Sequence, residues 1–206
     1  MTSKDIAYHR KSAQQRRAEL IDAGIACLGQ GGMTAFTIDR ICKQAGVSRG
    51  LINHHFKTKE ELMVSIYSQM TDYLLHDRSR QSPAAQIVGF IDSSFDAASF
   101  DKSNLRAWLA IWGQVATRPE LKSLHQDRYR HYRRQLAQAL STIAQNRQLE
   151  IDPDSVARQL IALIDGLWLE YCLHSDGFSL ADAREDCYRL LEGVGIALDK
   201  THASQR

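Results

Sequence analysis

Apolar residues return at three- and four-residue spacing in block after block along this chain. Turn-forming residues stand between the blocks, the pattern of successive amphipathic helices. Ala13 to Gln30 carries Leu20, Ile21, Ile25 and Leu28 on one side, and Gly29, Gly31 and Gly32 stop it. Thr37 is a candidate N-cap for a short helix bearing Ile38, Ile41, Cys42 and Ala45. Gly46 suits its end, Val47 plugs the corner, and Ser48 caps a second short helix with Leu51, Ile52 and Phe56 inward. A longer helix is expected from Lys59 to about Arg80, through Leu62, Met63, Ile66, Met70 and Leu74. Ser82 and Pro83 break the chain before a helix over Ala84–Phe95, with Ile87, Phe90 and Ile91 inward.

The second half follows the same logic. Asn104–Thr117 carries Leu105, Trp108, Leu109, Trp112 and Val115. Pro119 opens a helix to about Arg147, with Leu121, Leu124, Tyr129, Tyr132, Leu136 and Leu140. Its Arg128, Arg130, Arg133 and Arg134 read as a solvated or salt-bridged face. Asp152 caps a helix with Pro153 at its first position, and Val156, Leu160, Leu163, Ile164, Leu167, Trp168 and Tyr171 run down it to a stop at Gly177. Ser179, with Asp182 three residues on, caps a last helix reaching Leu198. Both closing helices are apolar over more than one face, so they need neighbours on two sides.

The expected fold is all-α. Residues 1–60 form a three-helix DNA-binding head, with 1–11 a flexible basic arm, and residues 61–206 form a helical ligand-binding and dimerisation body. The two short helices joined by a tight turn are a helix-turn-helix, whose second helix enters the major groove of DNA. Arg49, Asn53 and His54 face outward as candidate base readers, since Arg pairs with guanine and Asn with adenine. Gly50 leaves room for close approach. Thr37, His55, Lys57 and Lys59 surround them as candidate phosphate contacts, and Ser48 at the start of the helix is counted among the DNA-binding residues. The arm, with Lys4, Arg10 and Lys11, either reaches phosphates or is disordered in the free protein.

Charge distribution agrees with this division. Residues 1–60 hold ten Lys or Arg against five Asp or Glu, a net of +5, and the remainder carries a net of −3. A basic head on a mildly acidic body suits a nucleic-acid binder. The four Cys form no C-x-x-C pair and fall in apolar helical patterns, so free thiols in a reducing cytosol are expected. No apolar run is long enough to span a membrane, and the polar N-terminus lacks a secretory core. A cytoplasmic protein is therefore expected. No zinc-peptidase His/Glu spacing, nucleophile elbow or phosphate loop appears, which argues against an enzyme and calls for no cofactor or metal.

Thr37–Leu62 resembles the hallmark of the TetR family of bacterial repressors. That hallmark runs T-x-x-x-I-A-x-x-A-G-V-S-x-G-x-x-Y-x-Y-F-x-x-K-E-x-L. Thr37, Ile41, Ala45, Gly46, Val47, Ser48, Gly50, Phe56, Lys59, Glu60 and Leu62 match it. Cys42, Asn53 and His55 depart from it, the last two at Tyr positions that touch DNA in the family. The resemblance implies a fold of about nine helices. It also implies a homodimer paired through the last two helices as a four-helix bundle, and a small-molecule effector bound in the body. Two-fold pairing would set the reading helices ~34–36 Å apart, so the operator should be a near-palindrome.

Within the body, LRAWLAIWGQV and ALIDGLWLEYCL resemble the choline-responsive BetI branch of the family, which controls glycine betaine synthesis genes. A quaternary ammonium is held by aromatic faces. Trp108, Trp112, Trp168 and Tyr171 are candidates for such a cage, with Asp165 and Glu170 to add negative charge. Core or dimer packing of these rings is the alternative, as is a different hydrophobic or cationic effector. A helical protein-binding adaptor without a DNA role is the rival from another class.

Overall fold

The computed structural model describes residues 12–199 apart from 77, 79, 96–100 and 175. The expected basic arm lies outside the described residues. Among them the chain forms nine α-helices and no strand. They are α1 (Ala13–Ala35), α2 (Ile38–Ala45), α3 (Arg49–His55), α4 (Lys59–Thr71), α5 (Pro83–Ser94), α6 (Lys102–Val115), α7 (Pro119–Arg147), α8 (Pro153–Leu173) and α9 (Leu180–Gly193). None is long and apolar enough to cross a membrane.

Local chemistry sets most of the boundaries. Ser12 and Gln15 form a reciprocal capping box at the start of α1. The glycine stop falls where the backbone leaves the helix at Gly31 and Gly32 (φ +59°), and a last turn runs on to Ala35. Asp101, Asp152 and Ser179 accept from backbone N–H groups at the starts of α6, α8 and α9. Helix α7 closes on Gln148 in the left-handed region, with the Leu149 N–H returning to the Ala144 carbonyl.

Three expected helices end early. The helix from Lys59 stops at Thr71 and continues only as a 3-10 turn over Asp72–Leu75. The buried Thr71 hydroxyl donates back to the Tyr67 and Ser68 carbonyls, a local bond that competes with the helix ladder. Helix α8 ends at Leu173, before Gly177, and α9 ends at Gly193. There Gly195 (φ +84°) lets the Ile196 N–H reach the Leu191 carbonyl, and Ile196 and Leu198 are buried beyond the helix.

A single apolar core runs through the molecule, from Leu28 and Phe36 in the head through Ile66 to Leu140 and Leu160 in the body. Helix α1 lies against α6 and α4. Two glycines permit that approach. A Cβ on Gly24 would collide with Ile66, and one on Gly29 would stand 2.6 Å from the Ser103 carbonyl oxygen. The α7 arginines divide. Arg128 is largely buried and ties α7 to the end of α4 through Asp72 (3.0 Å) and Ser68 (2.8 Å). Arg130 pairs with Asp127, while Arg133 and Arg134 are exposed. All four cysteines are free thiols, and Cys27, Cys42 and Cys187 are buried. Burial, with the charge of Asp186 adding to it, pushes the Cys187 thiol up to about 12, an unreactive setting.

Candidate DNA-reading head and ligand cleft

The reading head is built around one corner. Thr37 accepts the Arg40 N–H and starts α2. Gly46 takes φ +65°, and the Val47 N–H returns to the Cys42 carbonyl, closing α2. Ile41, Cys42, Ile52 and Phe56 are buried under the corner. That burial leaves Arg49, Gly50, Asn53 and His54 exposed on the outer face of α3. Ser48 has the extended N-cap backbone but makes no side-chain cap bond.

The flanking residues vary more. Thr37, Ser48 and Lys57 are exposed, and His55 is half-buried, edge-on to His54 at 5.2 Å between ring centroids. The Lys59 ammonium lies over the Phe36 ring, 5.2 Å from its centroid, so its charge is drawn back from the surface. Arg49 is engaged as well: its Nε and Nη2 donate to the two carboxylate oxygens of Asp39 on α2. Nothing in the residue pattern separated these engaged cations from the free ones.

The body contains an aromatic cluster with a cleft at its edge. Trp108 meets both Trp112 and Trp168 edge-on, each at 5.7 Å between centroids. Trp108 and Trp168 are buried behind the cleft, and the Trp168 indole N–H donates to the Ser94 carbonyl. The cleft itself, about 440 Å³, is lined by Trp112, Val115, His125, Tyr129, Asp165 and Leu169 among others. Of the five expected cage residues, then, Trp112 and Asp165 reach the cleft and Trp108 and Trp168 form its backing. Tyr171 stands elsewhere. It packs on Phe178 and lines a separate pocket with Lys102 and Arg106. Glu170 is exposed and outside the cleft lining.

Two rings that the sequence had assigned to no site complete the wall. His125 and Tyr129, one helical turn apart on α7, stack at 4.1 Å between centroids. Their spacing on the helix was visible, but not that it faced Asp165. The Tyr129 hydroxyl donates to Asp165 at 3.2 Å. Asp165 is part-exposed as a residue, yet its carboxylate is closed in by protein atoms. That burial pushes it up to about 7, against the lowering effect of the Tyr129 hydrogen bond. Burial also lowers His125. The Tyr67 hydroxyl of α4 is 2.6 Å from His125 Nδ1. Trp112 keeps its Nε1 N–H buried and, although Tyr67 is close enough to feel it, no hydrogen bond of good geometry forms. His125, Tyr129 and Asp165 also line a larger adjoining cleft of about 550 Å³, whose far side carries Arg130, Arg133 and Arg158, a setting hostile to a cation.

Residues 20–66 match the family model described as bacterial regulatory proteins of the tetR family, and residues 83–195 match the BetI-type transcriptional repressor C-terminal model. The chain belongs to the TetR family. Its body is of the BetI type. The "HTH-type transcriptional regulator BetI 1" of Chromohalobacter salexigens is 33% identical over 202 residues, covering 91% of this chain and 94% of that protein. A transcriptional regulator from Pseudomonas aeruginosa PAO1 has a solved structure that is 32% identical, with a TM-score of 0.77 over 93% of this chain and 95% of its own. A regulator from Saccharomonospora viridis, solved in complex with choline, shares the fold at 20% identity and a TM-score of 0.74, over 87% and 96% of the two chains. This TetR-family regulator thus joins a helix-turn-helix head to a repressor-type body with an aromatic, acid-bearing cleft.

Proposed function

We propose that this regulator binds a near-palindromic operator as a homodimer and is released when a quaternary ammonium ion, choline first among them, enters the cleft. One observation carries the reading: Trp112, Tyr129 and His125 present aromatic surface to a space that Asp165 also lines. A trimethylammonium group donates no hydrogen bond and is held by ring faces and by negative charge. The choline complex of the Saccharomonospora viridis regulator accords with this choice of ligand. By the likeness to the BetI branch, the genes controlled would be those of glycine betaine synthesis.

In this reading residues 1–60 are the DNA-binding head and residues 61–206 the ligand-binding and dimerising body. Arg49, Asn53 and His54 read bases. Thr37, Ser48, His55, Lys57 and Lys59 meet phosphates, Lys59 after leaving the Phe36 ring. The body pairs through α8 and α9. Along α8, Arg158, Ala162, Gly166, Leu169 and Leu173 are exposed at helical spacing, and Leu173 is 73% exposed. Leu169 and Leu173 make the apolar part of this face, and exposed large apolar side chains gathered on one helix face fit an interface. Gly166 and Leu169 also line the cleft, so the partner subunit would roof it. The protein would work in the cytoplasm.

A gel shift on the DNA upstream of the protein's own gene tests this. Retardation should weaken steeply with salt and should be reversed by choline but not by its uncharged carbon isostere. No retardation would favour an adaptor role. Retardation indifferent to choline would leave the repressor and remove this effector.

A further inference from the structure

Arg49 and Asp39 are joined in a specific way. Asp39 stands in the first turn of α2 and Arg49 is the first residue of α3. One carboxylate oxygen accepts from Nε and the other from Nη2. A guanidinium carries five N–H donors in a rigid fork. Asp39 takes two of them, both on the Nε side. The two Nη1 hydrogens and the second Nη2 hydrogen remain, and the Nη1/Nη2 edge is one that pairs bidentately with guanine O6 and N7. The ion pair therefore holds the arginine while leaving a reading edge open.

Both partners are well exposed, 69% and 64% of their side-chain surface. A pair so placed contributes little to folding. Its consequence lies elsewhere. A free arginine loses several rotors on binding, and fixing it beforehand reduces that cost. The anchor points are firm: α2 is capped by Thr37 and buried through Ile41 and Cys42, and α3 is buried through Ile52. A carboxylate facing the duplex also repels phosphates. The chain thus accepts a negative charge beside Arg49; in the first turn of α2 that charge also complements the helix dipole, and a fixed orientation of Arg49 is what the pair adds.

We propose that Asp39 is a specificity-determining positioning residue, gripping the Nε side of Arg49 so that the Nη1/Nη2 edge meets a guanine in each half-site. The inference rests on the reading of Arg49 as a base reader. It makes two predictions of opposite sign for Asp39→Asn. Affinity for DNA in general rises, because a repelling charge is gone. Discrimination at the base pair read by Arg49 falls by about tenfold, the lower part of what one bidentate pair provides.

The full-length protein is tested on duplexes selected from a library randomised over roughly two helical turns. Binding is then measured by fluorescence anisotropy on the selected operator and on versions altered one base pair at a time. Wild type, Asp39→Asn, Asp39→Ser and Arg49→Ala are compared, with melting curves to show that each is folded. Support consists of both Asp39 variants losing preference at the same position as Arg49→Ala while binding unrelated DNA more tightly than wild type. If Arg49→Ala loses that preference and the Asp39 variants keep it, positioning by Asp39 is overturned. If Arg49→Ala keeps it, the base-reader assignment itself fails.

Discussion

The Tyr67 hydroxyl on α4 lies 2.6 Å from Nδ1 of His125 on α7, so the cleft wall and the helix beneath the reading head share a hydrogen bond. His125 stacks on Tyr129, and Tyr129 donates to Asp165. A cation drawn to Asp165, as proposed, would therefore act on a chain of contacts that ends on α4. The Arg118–Glu60 ion pair (3.2 Å) joins the same two regions at the surface. A conformational change needs a ligand with different affinity for two states, and these contacts are where the difference would be felt.

Tyr67→Phe keeps the buried ring and deletes the link. It should cost about 1 kcal/mol of stability, the usual net worth of a hydrogen bond. Choline should still quench tryptophan fluorescence, while the concentration needed to release operator should rise several-fold. Parallel quenching and anisotropy titrations separate binding from coupling. Equal release by wild type and variant would show that the link carries no coupling.

Choline affinity should depend on pH. Burial raises Asp165 from 3.8 to about 7, so near neutrality much of it holds a proton. A cation selects the carboxylate, hence affinity should be full well above the folded pKa and fall by up to about tenfold per pH unit below it. For the free protein the sign is reversed. Between the two Asp165 values the folded state holds a proton that the unfolded state has lost, so this residue makes stability fall as pH rises. His125 acts oppositely below its usual 6.5, because the unfolded state takes up the proton first. Thermal shifts by choline should be larger at about pH 8 than at about pH 5.5, and Asp165→Asn should flatten the difference.

Leu173→Glu should break the proposed dimer. The residue is 73% exposed in the single chain and Leu169, one turn earlier, is 42% exposed. Two charges facing each other across a two-fold axis would oppose pairing. Sedimentation should give dimer for wild type and monomer for the variant at micromolar concentration, with operator affinity lost in parallel.

Gly29→Ala should destabilise the joint between head and body. The added methyl would meet the Ser103 backbone carbonyl at 2.6 Å, which a side-chain rotation cannot relieve. Overpacking of this kind costs about 1–3 kcal/mol. Gly46→Ala meets open space but must adopt φ +65°, at about 1 kcal/mol. Thermal melts rank the two.

The head was legible because its residues act locally: Thr37 caps, Gly46 turns, and Ile41 and Ile52 bury. The body was legible as helices but not as a site. The periodicity that placed Trp108, Trp112 and Trp168 on helices could not say which ring faces open space, since that depends on how α6, α7 and α8 cross. Tyr171 fell away because Phe178, beyond the end of α8, folds back onto it. His125 and Tyr129 joined because α7 turns them toward Asp165, a relation 36 residues or more apart in the chain.

The most direct measurement is the anisotropy of labelled operator bound to wild type and to Trp112→Ala, each titrated with choline. Wild type should release the duplex. The variant should bind it equally well and need roughly tenfold or more choline to let go, in line with up to about 2 kcal/mol for a desolvated cation–π contact. Release at the same choline concentration in both proteins, or no release from wild type, would contradict an aromatic cleft that governs the reading head.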